Sequence, residues 1–431
     1  MLTDADRSLL LGLLRLPTAG PLEVGPDGPR PRLWEAQRLY AEAAAELGFV
    51  AVQHESPAPD TLHGEHVPLS VRRAAAADPR FLVDQPSIVL QLGPDLPQAD
   101  TVMFNVHLDT VAGMQPVDYD GAVFHGRGAI DAKGPAVALL AGVRAAVAAD
   151  PSLSANTRIL IQAVAGEEGG AMGVFGTRPL VRQGYYGRLN LFCEPTGMRL
   201  LPRCTAAMTA CVRVRGDDAI DDNPDAGHNA TVLLGFISQR LAEVLPEHAV
   251  DGRVCVAGVH TGHLHNRVYG SGRLLLNLSY GRAETGHRLA DVLESEVDAA
   301  LREFSLRYRG HRDLARTAAD ARSITAVEWH KRGLPALEST SDEWEARLLG
   351  AGLTRWPDDE PAFTCDALWM AGVPGAYTAV LGPGQLDRNH AHAEGEFAEE
   401  TELAEFAAAV STILARFARQ GATRLLEGRA L

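Results

Sequence analysis

The chain has few cysteines and no long apolar run, and both absences limit what it can be. Its five cysteines are scattered among 431 residues and form no C-x-x-C pair. This pattern favours buried, inert thiols in a reducing compartment over a disulfide framework, so we expect a cytoplasmic protein. No apolar stretch approaches the roughly 20 residues of a membrane-spanning helix, so we expect no membrane partner.

Basic residues are also in the minority. Lysine and arginine number 40 against 55 aspartates and glutamates, the formal net charge is -15, and no lysine- or arginine-rich run occurs. This balance argues against nucleic acid as a partner. At the start of the chain acidic residues precede the leucines, unlike a secretory signal. The spacing of Leu9, Leu10, Leu13 and Leu14 instead predicts an amphipathic helix packed on a core.

Short apolar segments alternate with helical patterns over the first two hundred residues. The predicted strands lie at 87–92, 101–108 and 158–166, and the predicted helices lie at 34–47 and 136–149. This alternation predicts an α/β fold in which helices cover a sheet.

The pattern changes near residue 206 to strands and helices typical of a small α+β layer. Mixed α/β character returns after residue 335, and the chain ends in a helix predicted at 399–420. We therefore predict that 1–206 and 331–431 are two parts of one domain, interrupted by a smaller domain at 207–330.

Polar side chains follow the predicted strands or lie in loops near their ends. Five clusters carry them: VHLDT (106–110), GRGAIDAKGP (126–135), AVAGEEGGAMG (163–173), LNLFCEPTG (189–197) and GPGQLDRNHAHAEGEF (382–397). In an open α/β sheet such ends gather into a crevice where sites form. Two histidines with three or four carboxylates and no thiolate suit two divalent ions, with zinc expected and cobalt or manganese as alternatives.

Each cluster taken alone also has a plainer interpretation. His107 is compatible with a histidine satisfied in the core, and Asp131 with a helix cap. The adjacent Glu167 and Glu168 are compatible with a solvated loop. Two carboxylates this close repel each other unless a cation or proton lies between them. The functional interpretation gives one of them a metal and leaves the other to transfer protons.

In this order the five clusters resemble the cocatalytic dizinc amidohydrolases, the family of acetylornithine deacetylase, succinyl-diaminopimelate desuccinylase, aminoacylase and glutamate carboxypeptidase. The resemblance extends from LLRLPTAGP to AHAEGEF. It implies a zinc-bearing catalytic domain interrupted by a lid domain, through which a homodimer is expected. It also implies hydrolysis of the amide bond of a small N-acylated amino acid or dipeptide-like metabolite.

The resemblance implies a role for each matching position. The implied metal ligands are His107 and Glu194 for one zinc, Glu168 and His392 for the other, and Asp131 as the bridge. Glu167 resembles the general base, which takes a proton from water and passes it to the leaving nitrogen. Asp109 would orient His107.

The same resemblance decides between two histidines and predicts one unusual peptide bond. His392 is preferred over His390 because AHAEGEF matches the Ala-His-x-x-x-Glu segment of the family. The bond between Asp131 and Ala132 is expected to be cis, since family members commonly have a cis bond after the bridging aspartate.

The predicted lid departs from the family at two positions. Segment 216–230 matches a family motif, but Ile220 replaces the histidine that would stabilise the oxyanion. Ser279 stands where relatives have an arginine that binds the substrate carboxylate. The predicted substrate-binding residues are Asn266, which matches a lid asparagine, Arg282, a possible replacement for the missing arginine, and Gly384.

These departures leave alternatives open. One is a specialised enzyme that cleaves an unusual amide or catalyses a condensation or cyclisation, and another is a homologue that binds a ligand without catalysis. A lid histidine could replace the missing donor, the candidates being His228, His260, His263 and His265. An acidic cluster is either a solvated turn or a recognition site for a cationic substrate or basic partner; it consists of Asp217, Asp218, Asp221 and Asp222.

Overall fold

The computed structural model describes residues 2–340 and 343–427 and divides the chain into two compact units. Unit 1 comprises Met1–His63, Ser70–Cys204 and Leu337–Leu431. Unit 2 comprises Gly64–Leu69 and Thr205–Ala336. The predicted α/β class is confirmed, whereas the lid and catalytic roles of the predicted domains remain predictions.

The helices and strands are numbered in chain order. The helices are α1 (Asp4–Leu14), α2 (Pro21–Val24), α3 (Leu33–Ala45), α4 (Leu69–Ala77), α5 (Lys133–Ala149), α6 (Leu153–Asn156), α7 (Thr177–Arg182), α8 (Ala230–His248), α9 (Ala283–Tyr308), α10 (Ala315–Ile324), α11 (Glu343–Leu349) and α12 (Glu400–Glu427). The strands are β1 (Val50–Glu55), β2 (Ser87–Leu92), β3 (Thr101–His107), β4 (Asp118–Tyr119), β5 (Val123–His125), β6 (Arg158–Val164), β7 (Leu189–Phe192), β8 (Arg199–Leu200), β9 (Arg203–Cys204), β10 (Ala206–Arg215), β11 (Ala219–Ile220), β12 (Arg253–His260), β13 (Arg267–Val268), β14 (Ser271–Tyr280), β15 (Thr325–Lys331), β16 (Leu337–Glu338), β17 (Thr354–Arg355), β18 (Tyr377–Val380) and β19 (Phe397–Glu399).

Unit 1 is built on a six-stranded mixed sheet with the order β1-β2-β6-β3-β7-β18. The four strands from β6 to β18 are parallel to one another. Strand β2 pairs antiparallel with β6, and the edge strand β1 pairs antiparallel with β2. Every residue of β3 is buried, as expected for a parallel strand that is covered on both faces. Helix α5 packs on β3 and against α1 and α12.

The first helix matches its predicted apolar face. Helix α1 buries Leu9, Leu10, Leu13 and Leu14, and Thr3 caps its start by accepting a hydrogen bond from the Asp6 amide. Among the helices of the described residues, none combines the length and apolar character needed to cross a bilayer.

Unit 2 contains a four-stranded antiparallel sheet with the order β12-β14-β10-β15. Alternate residues of β10, among them Met208, Ala210 and Val212, are buried. Helices α8 and α9 pack against β14 and against each other. From the sequence, strands are predicted at 208–215, 253–261 and 273–280, and these correspond to β10, β12 and β14. The sequence does not predict β15, whose residues are mostly half-buried and mix polar with apolar side chains.

Candidate metal centre

The site begins where three neighbouring parallel strands of unit 1 end. Strand β3 ends at His107, β6 is followed by the loop that carries Glu167 and Glu168, and β7 is followed closely by Glu194. Because β6, β3 and β7 are adjacent and parallel, their carboxyl ends lie along one edge of the sheet. The order and direction of these strands therefore bring together four predicted site residues: His107, Glu167, Glu168 and Glu194.

Asp131 lies between the two predicted histidines. His107 Nε2 donates to Asp131 Oδ1 at 2.8 Å, and His392 Nε2 donates to Asp131 Oδ2 at 2.9 Å. Burial pushes the pKa of Asp131 upward, but the hydrogen bonds from both histidines outweigh burial and hold that pKa below its usual value. The peptide bond between Asp131 and Ala132 is cis, as expected.

Two groups of possible ligands share Asp131. One is His107, Asp131 and Glu194, and the other is Asp131, Glu168 and His392; within each group the ligand atoms lie within 4.8 Å of one another. Glu194 Oε2 is 3.8 Å from His107 Nε2, and Glu168 Oε1 is 3.0 Å from His392 Nε2. The sequence-predicted set therefore converges into two adjoining clusters of nitrogen and oxygen donors.

The carboxylates of this region are crowded and withdrawn from water. Burial, reinforced by the charges of Glu168 and Glu194, raises the pKa of Glu167 well above its usual value. Burial also raises the pKa of Glu194, and it raises the pKa of Glu168 to about 7 despite the opposing hydrogen bond from His392. Acids packed in this way need cations or protons among them. The imidazoles and carboxylates present fit two divalent ions.

The histidine at the end of β3 is held by main chain. His107 Nδ1 donates to the Asp109 carbonyl oxygen at 2.9 Å, while the nearer Asp109 carboxylate oxygen is 3.7 Å from that nitrogen. The carboxylate instead accepts a hydrogen bond from the Glu168 amide at 3.1 Å. The role expected of the Asp109 side chain in orienting His107 stays a prediction, and its main-chain carbonyl makes the shorter contact with the ring. The backbone orients the imidazole because the turn after β3 brings its carbonyl closer.

The predicted substrate-binding residues fall in both units. Gly384 lies in unit 1 with φ of 63°, and an added Cβ would come within 2.5 Å of Ile130, beside Asp131. Asn266 and Arg282 lie in unit 2, where Arg282 precedes α9 at 3.9 Å from Asp251. All three assignments remain predictions.

The lid positions that depart from the family have ordinary local surroundings. Ile220 lies in β11 and is 61% exposed. Ser279 lies in β14 and accepts a hydrogen bond from the Arg253 amide. His228 is buried, accepts from the Asp217 amide and approaches Asp320 at 3.1 Å, which gives it a role in holding unit 2 together.

Several buried charged residues of unit 1 receive no role from the sequence, among them Asp366, Lys133 and Glu396. Asp366 accepts from the Thr177 hydroxyl at 2.5 Å, and burial raises its pKa well above the usual value. Lys133 donates to the Leu16 carbonyl at 3.0 Å, and burial lowers its pKa to about 7. Glu396 is 1% exposed. A charged residue inside an otherwise apolar or glycine-rich segment is the signal that could have identified them.

Two further groups of possible ligands occur among the described residues. One overlaps the site and consists of His107, Glu167 and Glu168, and the other lies in unit 2, where Cys211, Glu328 and His330 come together. Both carboxylate oxygens of Glu328 already accept from Arg213 at 2.9 Å, and one also accepts from Arg215 at 3.0 Å. The arginines neutralise this carboxylate, so the cluster is better explained as an ion-pair network.

Comparison with known proteins decides the family. The sequence profile of Peptidase family M20/M25/M40 matches residues 103–416, which include all the candidate ligands. The chain belongs to this family. M20 membership confirms the predicted family of metal-dependent hydrolases, whose metal-binding character agrees with the ligand clusters.

Solved M20 structures share the fold at low sequence identity. An aminopeptidase PepT from Bacillus cereus is 17% identical, with 96% of this chain and 98% of that chain covered and a TM-score of 0.68. The M20 metallo-carboxypeptidase Sso-CP2 from Sulfolobus solfataricus is 12% identical, with 96% and 100% covered and a TM-score of 0.69. The di-peptidase Dug1p from Saccharomyces cerevisiae is 12% identical, with 96% of each chain covered and a TM-score of 0.64.

A curated relative extends the comparison to part of the chain. A protein of Aeropyrum pernix, provisionally named LysW-lysine/LysW-ornithine hydrolase, is 29% identical over 194 residues. The match covers 44% of this chain and spans about half the length of the relative, 50%.

Proposed function

We propose that this M20 member is a zinc-dependent hydrolase that cleaves the amide bond of a small N-acylated amino acid or dipeptide-like metabolite. The observation that carries the proposal is Asp131, whose two carboxylate oxygens face His107 and His392 at 2.8 and 2.9 Å. Glu194 lies beside the first histidine and Glu168 beside the second. His107, Asp131 and Glu194 would hold one ion, and Asp131, Glu168 and His392 would hold the other. Asp131 would thus belong to both groups. Cytoplasmic location and a homodimer through unit 2 remain part of the proposal.

The chain's own residues supply the proton transfer. Ions bound in the two groups would polarise the amide carbonyl and lower the pKa of the attacking water. Glu167, which is half-buried beside Glu168, would accept the proton of that water and deliver it to the leaving nitrogen. His107 keeps its Nε2 directed at Asp131 because its Nδ1 is fixed by the Asp109 carbonyl.

The leaving amine is proposed to belong to a basic amino acid. Two findings support this choice: the name of the Aeropyrum pernix relative, and the charge of an open cavity of about 660 Å³ beside His392. Asp118 and Glu394 line this cavity, whereas its one arginine, Arg127, is buried and bonded to Glu396. The remaining negative charge would favour an ammonium group.

The first test of the mechanism is the substitution Glu167→Gln, which keeps the size of the side chain but removes the base. We expect kcat to fall by about 10²- to 10⁴-fold. Metal analysis should find an unchanged metal content of the variant, because Glu167 is outside the two proposed ligand groups. A fully active variant would rule out Glu167 as the base.

A substrate panel tests the proposed specificity. The panel compares N-acetyl and N-succinyl derivatives of lysine and ornithine with those of glutamate, and the expected order of kcat/KM places the basic amino acids first. Preference for glutamate would contradict the charge argument. Absence of turnover on every compound, with two ions bound, would favour the alternative of an unusual amide or a condensation.

A further inference from the structure

Glu396 makes an unusual number of contacts for a single carboxylate. Its Oε1 accepts from the amides of Ile130 at 3.1 Å and Asp131 at 3.2 Å. Its Oε2 accepts from the Gly128 amide at 3.0 Å and from Arg127 Nη1 at 2.7 Å. One side chain, four residues after His392, therefore binds the whole backbone turn that presents Asp131.

Arg127 and Gln115 extend these contacts to the loop that carries His392. Arg127 also donates to the carbonyls of Gly113 at 3.2 Å and Ala393 at 2.9 Å. Gln115 donates to the Ala393 carbonyl at 2.8 Å and accepts from the amides of Gly395 and Glu396 at 2.9 and 3.1 Å. The residue directly after His392 is thus fixed from two sides.

His392 needs such support. Its φ is 62°, a left-handed backbone conformation that costs a residue with a side chain about 1–3 kcal/mol and persists only when its surroundings enforce it. The side chain of His392 is 48% exposed, whereas that of His107 is 1% exposed. Burial and the Asp109 carbonyl therefore fix His107, whereas the more exposed His392 depends on the hydrogen bonds of its loop.

We propose that Glu396 is a positioning residue that joins the His392 loop to the Asp131 turn and thereby sets the geometry of the second ion site. The inference rests on the proposed function, because that site consists of Asp131, Glu168 and His392. Glu396 is four residues from His392 in sequence but holds Asp131 through main-chain amides, so it fixes the distance between two ligands without touching the ion itself.

The test compares Glu396→Ala and Glu396→Gln with the matched control Glu399→Gln in the full chain. Glu399 lies three residues away and accepts from Arg388, and among the described residues it makes no hydrogen bond to the turn at 128–131. Its substitution therefore removes a carboxylate charge without removing a contact to that turn. Zinc is titrated against a chromophoric chelator to obtain separate affinities for the two ions. Hydrogen exchange of the amides in 128–131 is measured on metal-loaded and on metal-free protein.

For Glu396→Ala we expect the affinity for the second ion to fall by about 10- to 100-fold, with a smaller change for the first ion. Amide exchange at 128–131 should accelerate by at least about tenfold even without metal, because charge-assisted hydrogen bonds are lost. Glu396→Gln keeps one acceptor oxygen and should show an intermediate loss, which also guards against misfolding of the alanine variant. The control should match the wild type.

Unchanged affinity for the second ion in both Glu396 variants would overturn the inference, even if exchange accelerated. Loss of both ions together with global unfolding in the glutamine variant would also overturn it, since the effect would then be general. If the wild type bound fewer than two ions, the proposed function would fail. Exchange of the metal-free protein would then decide alone whether Glu396 joins the two loops.

Discussion

Removal of metal should destabilise unit 1 by an amount that the structure allows us to work out. All five proposed ligands lie in unit 1, which spans roughly 300 residues. An ion present at about 1,000 times its dissociation constant stabilises the folded state by about 4 kcal/mol. Unfolding entropy is about 2.1 cal/mol/K per residue, or about 0.6 kcal/mol/K for this unit, so losing one such ion should lower its Tm by about 6–7 °C.

Differential scanning calorimetry with and without a chelator measures this shift, and zinc in excess should reverse it. Asp131→Asn provides the decisive comparison, because it removes the charge shared by both ligand groups. Zinc should raise the Tm of this variant far less than that of the wild type. An equal rise in both proteins, or no rise in the wild type, would refute the placement of the ions at Asp131.

Two further predictions concern unit 2. Burial lowers the pKa of Lys331 from 10.5 to about 8, so the unfolded chain binds more protons between these values and stability rises with pH there. Lys331→Met should therefore raise the free energy of unfolding of unit 2 by roughly 3 kcal/mol at pH 7 and by little near pH 11. Urea unfolding at the two pH values measures this difference. A gain in stability that is independent of pH would contradict the burial argument. Of the five cysteines only Cys255 is exposed. A thiol reagent should thus label one cysteine rapidly in the native protein and none in Cys255→Ser; rapid labelling of a second thiol would show that a buried cysteine is accessible.

The site residues that could be predicted from the sequence are those at the ends of apolar strands. His107 ends β3 and Glu194 follows β7, and the parallel order of these strands brings both to one edge. The contacts that orient these residues were not predictable. The His107 ring is held by a main-chain carbonyl, and Glu396 reaches amides that lie more than two hundred residues earlier in the chain. Such contacts depend on the packed geometry of loops, which local sequence patterns do not contain.

The fold shows the same division between local and long-range information. Strands with strong apolar runs, such as β2 and β3, were predicted within one residue of their observed bounds. Strand β15 was missed because its half-buried surface gives neither clean alternation nor a continuous apolar run. The antiparallel pairing of β1 and β2 at the sheet edge likewise follows from the tertiary arrangement.

The insertion of unit 2 within unit 1 has a consequence for synthesis of the chain. Strand β18 pairs with β7, yet the segment Thr205–Ala336 is translated between them. Domains fold as units in the order of their emergence from the ribosome, so unit 2 can fold while the sheet of unit 1 still lacks its last strand. His392 and Glu396 emerge later still. A nascent chain therefore completes its second cluster of ligands only after the whole segment Thr205–Ala336 has been synthesised.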